Sequence, residues 1–263
     1  SRRQRQMCIR DRYNPLSLIG KKYLITGAAS GMGRETSIVL SKLGAELILV
    51  DIDEQGLNVT AEMLENKYYV LPLDLSDIKS IKPTIERAVA EFGLINGFAH
   101  IAGIPYITPL KGVKEEKAEL LYKVNQFAAI ELAKVFNSKK VYAGESGSIV
   151  MISSVYGVVG SAANVAYAMT KSAIIGITKA LAMELAPKKI RVNCIAPGFV
   201  KSKMMAENIF RFDNDYMEKL DAMHPLGLGT PEDIANGIAF LFSDMSKWTT
   251  GATISIDGGF TAQ

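Results

Sequence analysis

The chain has few of the residues that would tie it to a disulfide framework, a metal or a membrane. It contains two cysteines and two histidines among 263 residues. Two cysteines form no disulfide framework, so the composition favours a reducing cytoplasm. The histidines lie in no ligand spacing with the cysteines, so no metal site is expected. No apolar run reaches the roughly 18 residues that span a bilayer, so no membrane association is expected.

Other features that the sequence lacks narrow the functional class and the domain organisation further. The chain has no Gly-x-Ser-x-Gly elbow, which argues against an α/β-hydrolase. It has no linker, low-complexity tract or internal repeat, so residues 13–263 are expected to form a single domain. A hydrophobic fraction of 48% is ordinary for a globular protein.

Residues 1–12 differ from the rest of the chain in charge. They carry a net charge of +4, whereas the remainder carries −1. The segment lacks the apolar region of a signal peptide. One interpretation is a basic arm for nucleic acid. We favour a non-native extension, because the MCIRDR of residues 7–12 reads like a translated sequencing adapter, and we expect the native start near residues 14–18 and no nucleic-acid partner.

Short apolar runs alternate with segments of helical period. Strands are expected at 22–26, 46–51, 68–71, 95–101, 148–152, 191–195 and 253–256. Helices are expected from the glycine turn to about 43, and at 77–92, 114–137, 164–186 and 231–243. This alternation predicts an α/β fold, a doubly wound sheet of seven parallel strands with helices on both faces.

A glycine turn, TGAASGMG at residues 26–33, lies between the first strand and the first helix. Glycines let a pyrophosphate approach the backbone, and the helix N-terminus offers N–H groups to the anion. Asp51 supplies the acid that a dinucleotide site needs about 20 residues further on. Asp74-Leu75 and Ala102-Gly103 end the third and fourth strands, where ligands bind in such sheets. Asp74 has a second interpretation, as a helix cap.

Tyr167 and Lys171 form the only Tyr-x-x-x-Lys of the chain. Four residues are about one helical turn, so both side chains project from one face. A neighbouring ammonium favours the phenolate and should move the tyrosine pKa toward neutrality. The pair therefore indicates a proton shuttle for an alcohol or a ketone.

These motifs together resemble the short-chain dehydrogenases/reductases of about 250 residues. The resemblance rests on TGAASGMG, Asp74-Leu75, Asn125, Ser154, YAMTK (167–171), RVNCIAPGFVKS (191–202) and TGATISIDGG (250–259). It implies a Rossmann-like fold and a tetrad of Asn125, Ser154, Tyr167 and Lys171. Tyr167 would be the acid/base, Ser154 would hold the substrate oxygen, Lys171 would bind the ribose and Asn125 a water.

The resemblance also implies the residues that contact the cofactor. They are Gly27, Ser30, Gly31, Met32, Gly33, Asp51, Asp74, Leu75, Ala102, Gly103, Tyr167, Lys171, Pro197, Gly198, Val200 and Ser202. One motif departs from the family, because His100-Ile101-Ala102-Gly103 stands where Asn-Asn-Ala-Gly is usual. We interpret His100 as a substitute for the asparagine that braces this strand.

The function predicted is an NAD-dependent oxidoreductase, an alcohol dehydrogenase or ketoreductase, acting on a secondary alcohol or ketone. Asp51 would bond the ribose hydroxyls of NAD and repel the phosphate of NADP. The alternative is an NADPH-dependent 3-oxoacyl thioester reductase. A dinucleotide sensor without turnover is disfavoured, because it has no need of Tyr167 and Lys171 together.

Substrate choice is assigned to Val155, Tyr156, the loop 103–110 and the Met- and aromatic-rich segment 203–228. That segment suits a mobile apolar lid or a subunit contact. Ala173, Gly176 and Ala180 place small residues on one helix face, and with the resemblance they predict a homodimer or homotetramer.

Overall fold

The computed structural model describes the backbone of residues 14–201 and 214–263, and side chains for 14–201 and 218–263. Within these residues, seven strands form one sheet in the order β3-β2-β1-β4-β5-β6-β7. Every neighbouring pair is parallel. The strands β1 to β7 are Lys22–Thr26, Glu46–Asp51, Tyr68–Pro72, Gly97–His100, Gly147–Ile152, Ile190–Pro197 and Thr253–Ile256. The predicted parallel sheet of seven strands is confirmed.

Helices cover both faces of the sheet. The described helices α1 to α8 are Gly31–Lys42, Glu54–Ala61, Ile78–Phe92, Glu115–Leu121, Ala128–Phe136, Val165–Leu185, Asn214–Ala222 and Pro231–Phe242. One buried cluster joins the sheet to α3, α5 and α6, and the other joins it to α1, α2 and α8. Because the sheet is buried on both faces, its strands contain apolar runs that the sequence reveals. Their bounds are less exact, since β4, expected over 95–101, covers Gly97–His100, and β6, expected over 191–195, covers Ile190–Pro197.

Three helical features differ from the prediction. The helix expected over 114–137 is interrupted by a π-helical turn, Tyr122–Phe127. The helix α2 is not predicted, because its short EQGLNVTA sequence has weak helical propensity and depends on Asp53, whose side chain accepts a hydrogen bond from Gly56 N. The helix α7 lies inside the segment interpreted as a lid.

The chain order places the site at one edge of the sheet. From β1 the chain adds β2 and β3 on one side and then returns to β4 on the other. Such a reversal opens a crevice beyond the carboxyl ends of β1 and β4, where doubly wound sheets bind ligands. No helix in the described part of the chain is long and apolar enough to cross a membrane.

The face of α6 that bears the small residues is open in the protomer. Gly176 and Ala180 are exposed, and a Cβ built on Gly176 meets no atom within 4 Å. Contact between protomers through this face stays a prediction.

Candidate active site

The glycine turn between β1 and α1 brings the backbone of three segments into contact. A Cβ on Gly33 would lie 2.0 Å from the Gly27 carbonyl oxygen, and one on Gly27 would lie 2.9 Å from Ala102 N. Gly31 instead faces open space, with a φ of +52°. Ser30, the N-cap of α1, makes no side-chain capping bond. The turn is therefore packed tightly on its inner side, and it leaves the N-terminus of α1 open to an anion.

A cavity of about 530 Å³ lies in front of this turn. Ten of the predicted cofactor residues line it: Gly27, Ser30, Gly31, Met32, Gly33, Asp51, Asp74, Leu75, Ala102 and Gly103. Asp74 Oδ1 also accepts a hydrogen bond from Ser76 N at 2.8 Å, so its capping interpretation holds beside its place in the cavity. The structure thus brings together residues from four strand ends in a space of the size that nucleotides require.

The Asp51 carboxylate is fixed at the end of β2. Its Oδ2 accepts a hydrogen bond from Ala29 N and its Oδ1 accepts one from Asp53 N, both at 3.1 Å. Each oxygen keeps a lone pair for a further donor. The carboxylate is therefore preorganised to accept hydroxyl hydrogen bonds at the far end of the cavity.

Arg34, the cation that directly follows the glycine turn in the sequence, makes its hydrogen bonds within the protein. Its Nε donates to Thr60 Oγ1 at 3.0 Å, and its Nη2 donates to the carbonyl oxygens of Ala29 and Gly56. These bonds tie α1 to α2. The guanidinium is consequently committed to backbone and hydroxyl partners of the protein itself.

A second cavity of about 210 Å³ adjoins the first through four shared lining residues, Met32, Ile101, Gly103 and Ile104. Predicted residues from three later elements line it: Ser154, Tyr167, Lys171, Pro197, Gly198 and Val200. Val155 and Tyr156 line it as well. Ser202 and residues 203–213 of the predicted lid lie outside the described residues.

The pKa of Tyr167 departs from the expectation. The ring is half-buried because it faces the cavity, but protein surrounds its hydroxyl, and this burial raises the pKa to about 12. Ser154, as a hydrogen-bond partner, acts in the lowering direction. Lys171 does not offset the burial, because its Nζ donates to the Ile152 carbonyl oxygen at 2.9 Å and lies 5.7 Å from the Tyr167 ring centre. The prediction of a pKa moved toward neutrality is wrong.

Lys171 is itself buried, and burial lowers its pKa to about 8. Ser153 Oγ donates to the Lys171 carbonyl oxygen at 2.7 Å, which fastens α6 to the end of β5. At neutral pH the lysine stays mostly protonated and the phenol keeps its proton. The pair is thus in the state required to donate a proton to a carbonyl oxygen.

Asn125 lies in the π-helical turn and is 1% exposed. Its Oδ1 accepts from Ile104 N at 2.9 Å, and its Nδ2 donates to Ile104 O and to Thr170 Oγ1, both at 3.1 Å. A Cβ on Gly103 would lie 3.3 Å from both Asn125 Oδ1 and Lys171 Nζ. Asn125 therefore joins the loop after β4 to α6 beside Lys171. Its predicted role of holding a water stays a prediction.

His100 bridges three elements under the site. Thr26 Oγ1 lies 3.1 Å from His100 Nδ1, and His100 Nε2 lies 3.1 Å from the Val124 carbonyl oxygen. Thr26 Oγ1 also accepts from the N–H groups of Ile101 and Ala102, so its own hydrogen is free to be donated to Nδ1. This pattern requires the neutral ring protonated at Nε2, and burial lowers the His100 pKa to about 3. His100 thus braces β1, β4 and the turn that carries Asn125.

This brace has a consequence for acid stability. The folded pKa lies below the unfolded value of about 6.5, so unfolding takes up a proton as the pH falls between about 6.5 and 3. The contribution of neutral His100 to the free energy of unfolding is fully present above this pH window and is lost as the pH falls through it. We expect wild type to lose about 2 kcal/mol more than His100→Asn between pH 7 and pH 5, by urea unfolding. If the free energy of unfolding changed equally with pH in the two proteins, His100 would not be a neutral, buried residue.

No pattern in the sequence points to His224, which lies beside the second cavity. Its Nδ1 donates to the Leu220 carbonyl oxygen at 2.7 Å, and its Nε2 accepts from Phe199 N at 3.2 Å. Its ring packs 4.9 Å from that of Phe260. Because Phe199 and Leu220 both line the second cavity, His224 holds this wall of the cavity in place.

Comparisons with known proteins agree with this geometry. A family model described as enoyl-(acyl carrier protein) reductase matches residues 27–261. The 3-oxoacyl-[acyl-carrier-protein] reductase FabG of Thermotoga maritima is 37% identical over 253 residues, which are 93% of this chain and 99% of that protein.

Solved structures share the whole fold. A candidate NAD(P)-dependent gluconate 5-dehydrogenase of Beutenbergia cavernae, with NADP bound at low occupancy, is 30% identical with a TM-score of 0.87, covering 95% of this chain and 100% of that one. Carveol dehydrogenase of Mycobacterium avium in complex with NAD is 27% identical with a TM-score of 0.86, covering 94% and 99%. Similar folds therefore hold either nucleotide.

Proposed function

Because this chain belongs to the short-chain dehydrogenase/reductase family of oxidoreductases, we propose that it interconverts a secondary alcohol and a ketone with NAD(H). The observation that carries the proposal is the joining of two cavities. Ser154, Tyr167 and Lys171 line the one, the glycine turn and Asp51 line the other, and four residues are common to both. A carbonyl group in the second cavity would adjoin a nucleotide in the first.

The residues present fit a dinucleotide. The open N-terminus of α1 suits a pyrophosphate, and the fixed Asp51 carboxylate suits the adenosine ribose hydroxyls. Asp74 and Leu75 would hold the adenine, and Pro197, Gly198 and Val200 the nicotinamide. When bound, the nicotinamide supplies or accepts the hydride.

The protein's own groups would move the proton. Ser154 Oγ holds the substrate oxygen, and Tyr167 donates its proton to that oxygen as the carbonyl is reduced to an alcohol. The high Tyr167 pKa keeps the donor protonated at neutral pH, which is the state that reduction of a carbonyl requires. Asn125 keeps Ile104 and Thr170 in register beside Lys171, so that the ammonium stays at the wall of the second cavity.

An assay of NADH and NADPH oxidation against a panel of ketones tests this proposal. Turnover of simple ketones supports it. Turnover of 3-oxoacyl thioesters alone, with NADPH, would instead support the second candidate, a 3-oxoacyl thioester reductase, which the 37% identity to the Thermotoga maritima reductase favours. Absence of turnover with every ketone and both nucleotides would contradict both.

We expect kcat/KM with NADH to exceed kcat/KM with NADPH by at least roughly tenfold, a difference of about 1.4 kcal/mol in transition-state stabilisation. The fixed Asp51 carboxylate would repel a ribose phosphate, and Arg34 is bound to Ala29, Gly56 and Thr60 instead of facing it.

Asp51→Ser combined with Ser30→Arg should narrow or reverse this preference, since Ser30 is exposed at the cavity and has room for a longer side chain. Glu54→Ser is the matched control, because it removes an equal charge from the exposed first turn of α2. A wild type that uses NADPH better than NADH would overturn the argument from Asp51.

A further inference from the structure

Asn164 is a buried polar residue of the second cavity that the tetrad does not include. It stands at the N-cap of α6 and is 6% exposed. An asparagine at this position usually accepts a hydrogen bond from the first turn of its helix. Asn164 makes no such bond, although its side chain lines the cavity together with Tyr167. The side-chain amide of Asn164 therefore does not serve as a helix cap.

The amide has a defined orientation. Nδ2 donates to Ser161 Oγ and to the Ala162 carbonyl oxygen, both at 3.0 Å. Only the nitrogen can donate to a carbonyl, and these two bonds use both of its hydrogens. Oδ1 is left as the acceptor, and no described residue donates to it.

The turn before Asn164 is held in an unfavourable conformation. Ala163 has a φ of +60°, in the left-handed region that residues other than glycine rarely adopt. Its carbonyl oxygen accepts from Thr108 N at 2.8 Å, across the cavity loop 103–110. Strain of this kind persists where surrounding contacts impose it, often at ligand sites. Here it fixes the residue that precedes Asn164.

The remaining wall leaves few polar atoms for a substrate. Ile101, Ile104, Ile107, Ile152, Val155, Phe199, Val200 and Leu220 supply most of it. Ser153 and Lys171 are bonded to backbone carbonyl groups. Ser154 and Tyr167 are assigned to the reacting oxygen, so Asn164 Oδ1 and the Tyr156 hydroxyl are the described polar groups that remain.

Resting on the proposed function, we infer that Asn164 is a specificity-determining residue that accepts a hydrogen bond from a hydroxyl or N–H of the substrate. Asn164 directly precedes α6 and Tyr167 lies in its first turn, and both residues line the second cavity. The substrate class is a ketone with a neighbouring donor, such as a hydroxyketone.

The test compares 2-octanone with 1-hydroxy-2-octanone, which differ only in the donor. Wild type should favour the hydroxyketone about tenfold in kcat/KM, mainly through KM, because a buried acceptor left without a donor is costly. Asn164→Leu, of similar volume, should abolish the preference and keep 2-octanone turnover within about threefold. Tyr156→Phe, which removes the other polar group, should keep the preference.

The outcomes distinguish a failure of the proposed role of Asn164 from a failure of the proposed function. Equal use of both ketones by wild type, or a preference lost in Tyr156→Phe and retained in Asn164→Leu, would overturn the role of Asn164 alone. Reduction of neither ketone by an enzyme that reduces other ketones would overturn the role of Asn164 alone, whereas absence of turnover with every ketone and both nucleotides would overturn the proposed function and this inference with it. Should Asn164→Leu fail to fold, Asn164→Ala removes the same Oδ1 with a smaller side chain, and an unchanged preference there would equally overturn the inference.

Discussion

Replacing Tyr167 with phenylalanine is expected to reduce ketone turnover to less than about one hundredth of wild type, because general acid–base groups contribute about 10²–10⁴-fold. The substitution removes the phenolic oxygen and keeps the ring that lines the cavity. Steady-state kinetics with NADH measures the loss, and fluorescence titration with NADH should give an affinity within a few-fold of wild type.

Tyr68→Phe is the matched control for this variant. Tyr68 is exposed on β3, the edge strand of the sheet, and loses the same oxygen far from the second cavity. Its kinetics should equal those of wild type. A tenth of wild-type activity remaining in Tyr167→Phe would show that another group donates the proton.

Replacing Ser154 with alanine is expected to lower kcat by about 10²-fold or more, because a donor that stabilises developing charge on the substrate oxygen is removed. A second effect follows from its action on Tyr167. Ser154 lowers the Tyr167 pKa, so its loss should raise that pKa further. In the direction of alcohol oxidation, the pH at which activity rises should therefore shift upward.

Ser172→Ala removes an equivalent hydroxyl from α6, where Ser172 Oγ donates to the Gly157 carbonyl oxygen at the surface. Normal kinetics in this control would show that loss of a hydroxyl near Tyr167 has no general effect. An unchanged kcat in Ser154→Ala would contradict the assignment of Ser154 to the substrate oxygen.

Local sequence predicts the framework of the site well. Strands β1 and β2 begin and end at the predicted residues, because their buried apolar runs start after Lys22 and Glu46 and stop at Thr26 and Asp51. The glycine turn and Asp51 meet in one cavity because a strand, a turn, a helix and a second strand fix their distance.

Contacts between distant parts of the chain explain what the sequence did not show. The π-helical turn depends on the bonds from Asn125 to Ile104 and Thr170, which lie 21 and 45 residues away. The pKa of Tyr167 depends on burial, which several elements create together. Likewise, the sequence shows that Arg34 follows the glycine turn but not that its guanidinium is hydrogen-bonded to Thr60.

The two cavities belong to different stretches of the polypeptide. All described residues that line the larger cavity fall between Gly27 and Val124, whereas the smaller one needs residues as far as Leu220. A nascent chain synthesised as far as Val124 contains every one of the former and neither Ser154 nor Tyr167. Nucleotide that binds at that stage would stabilise the early half by mass action. Under the proposed function, the residues that would bind the nucleotide are therefore synthesised before the residues that would react with the substrate.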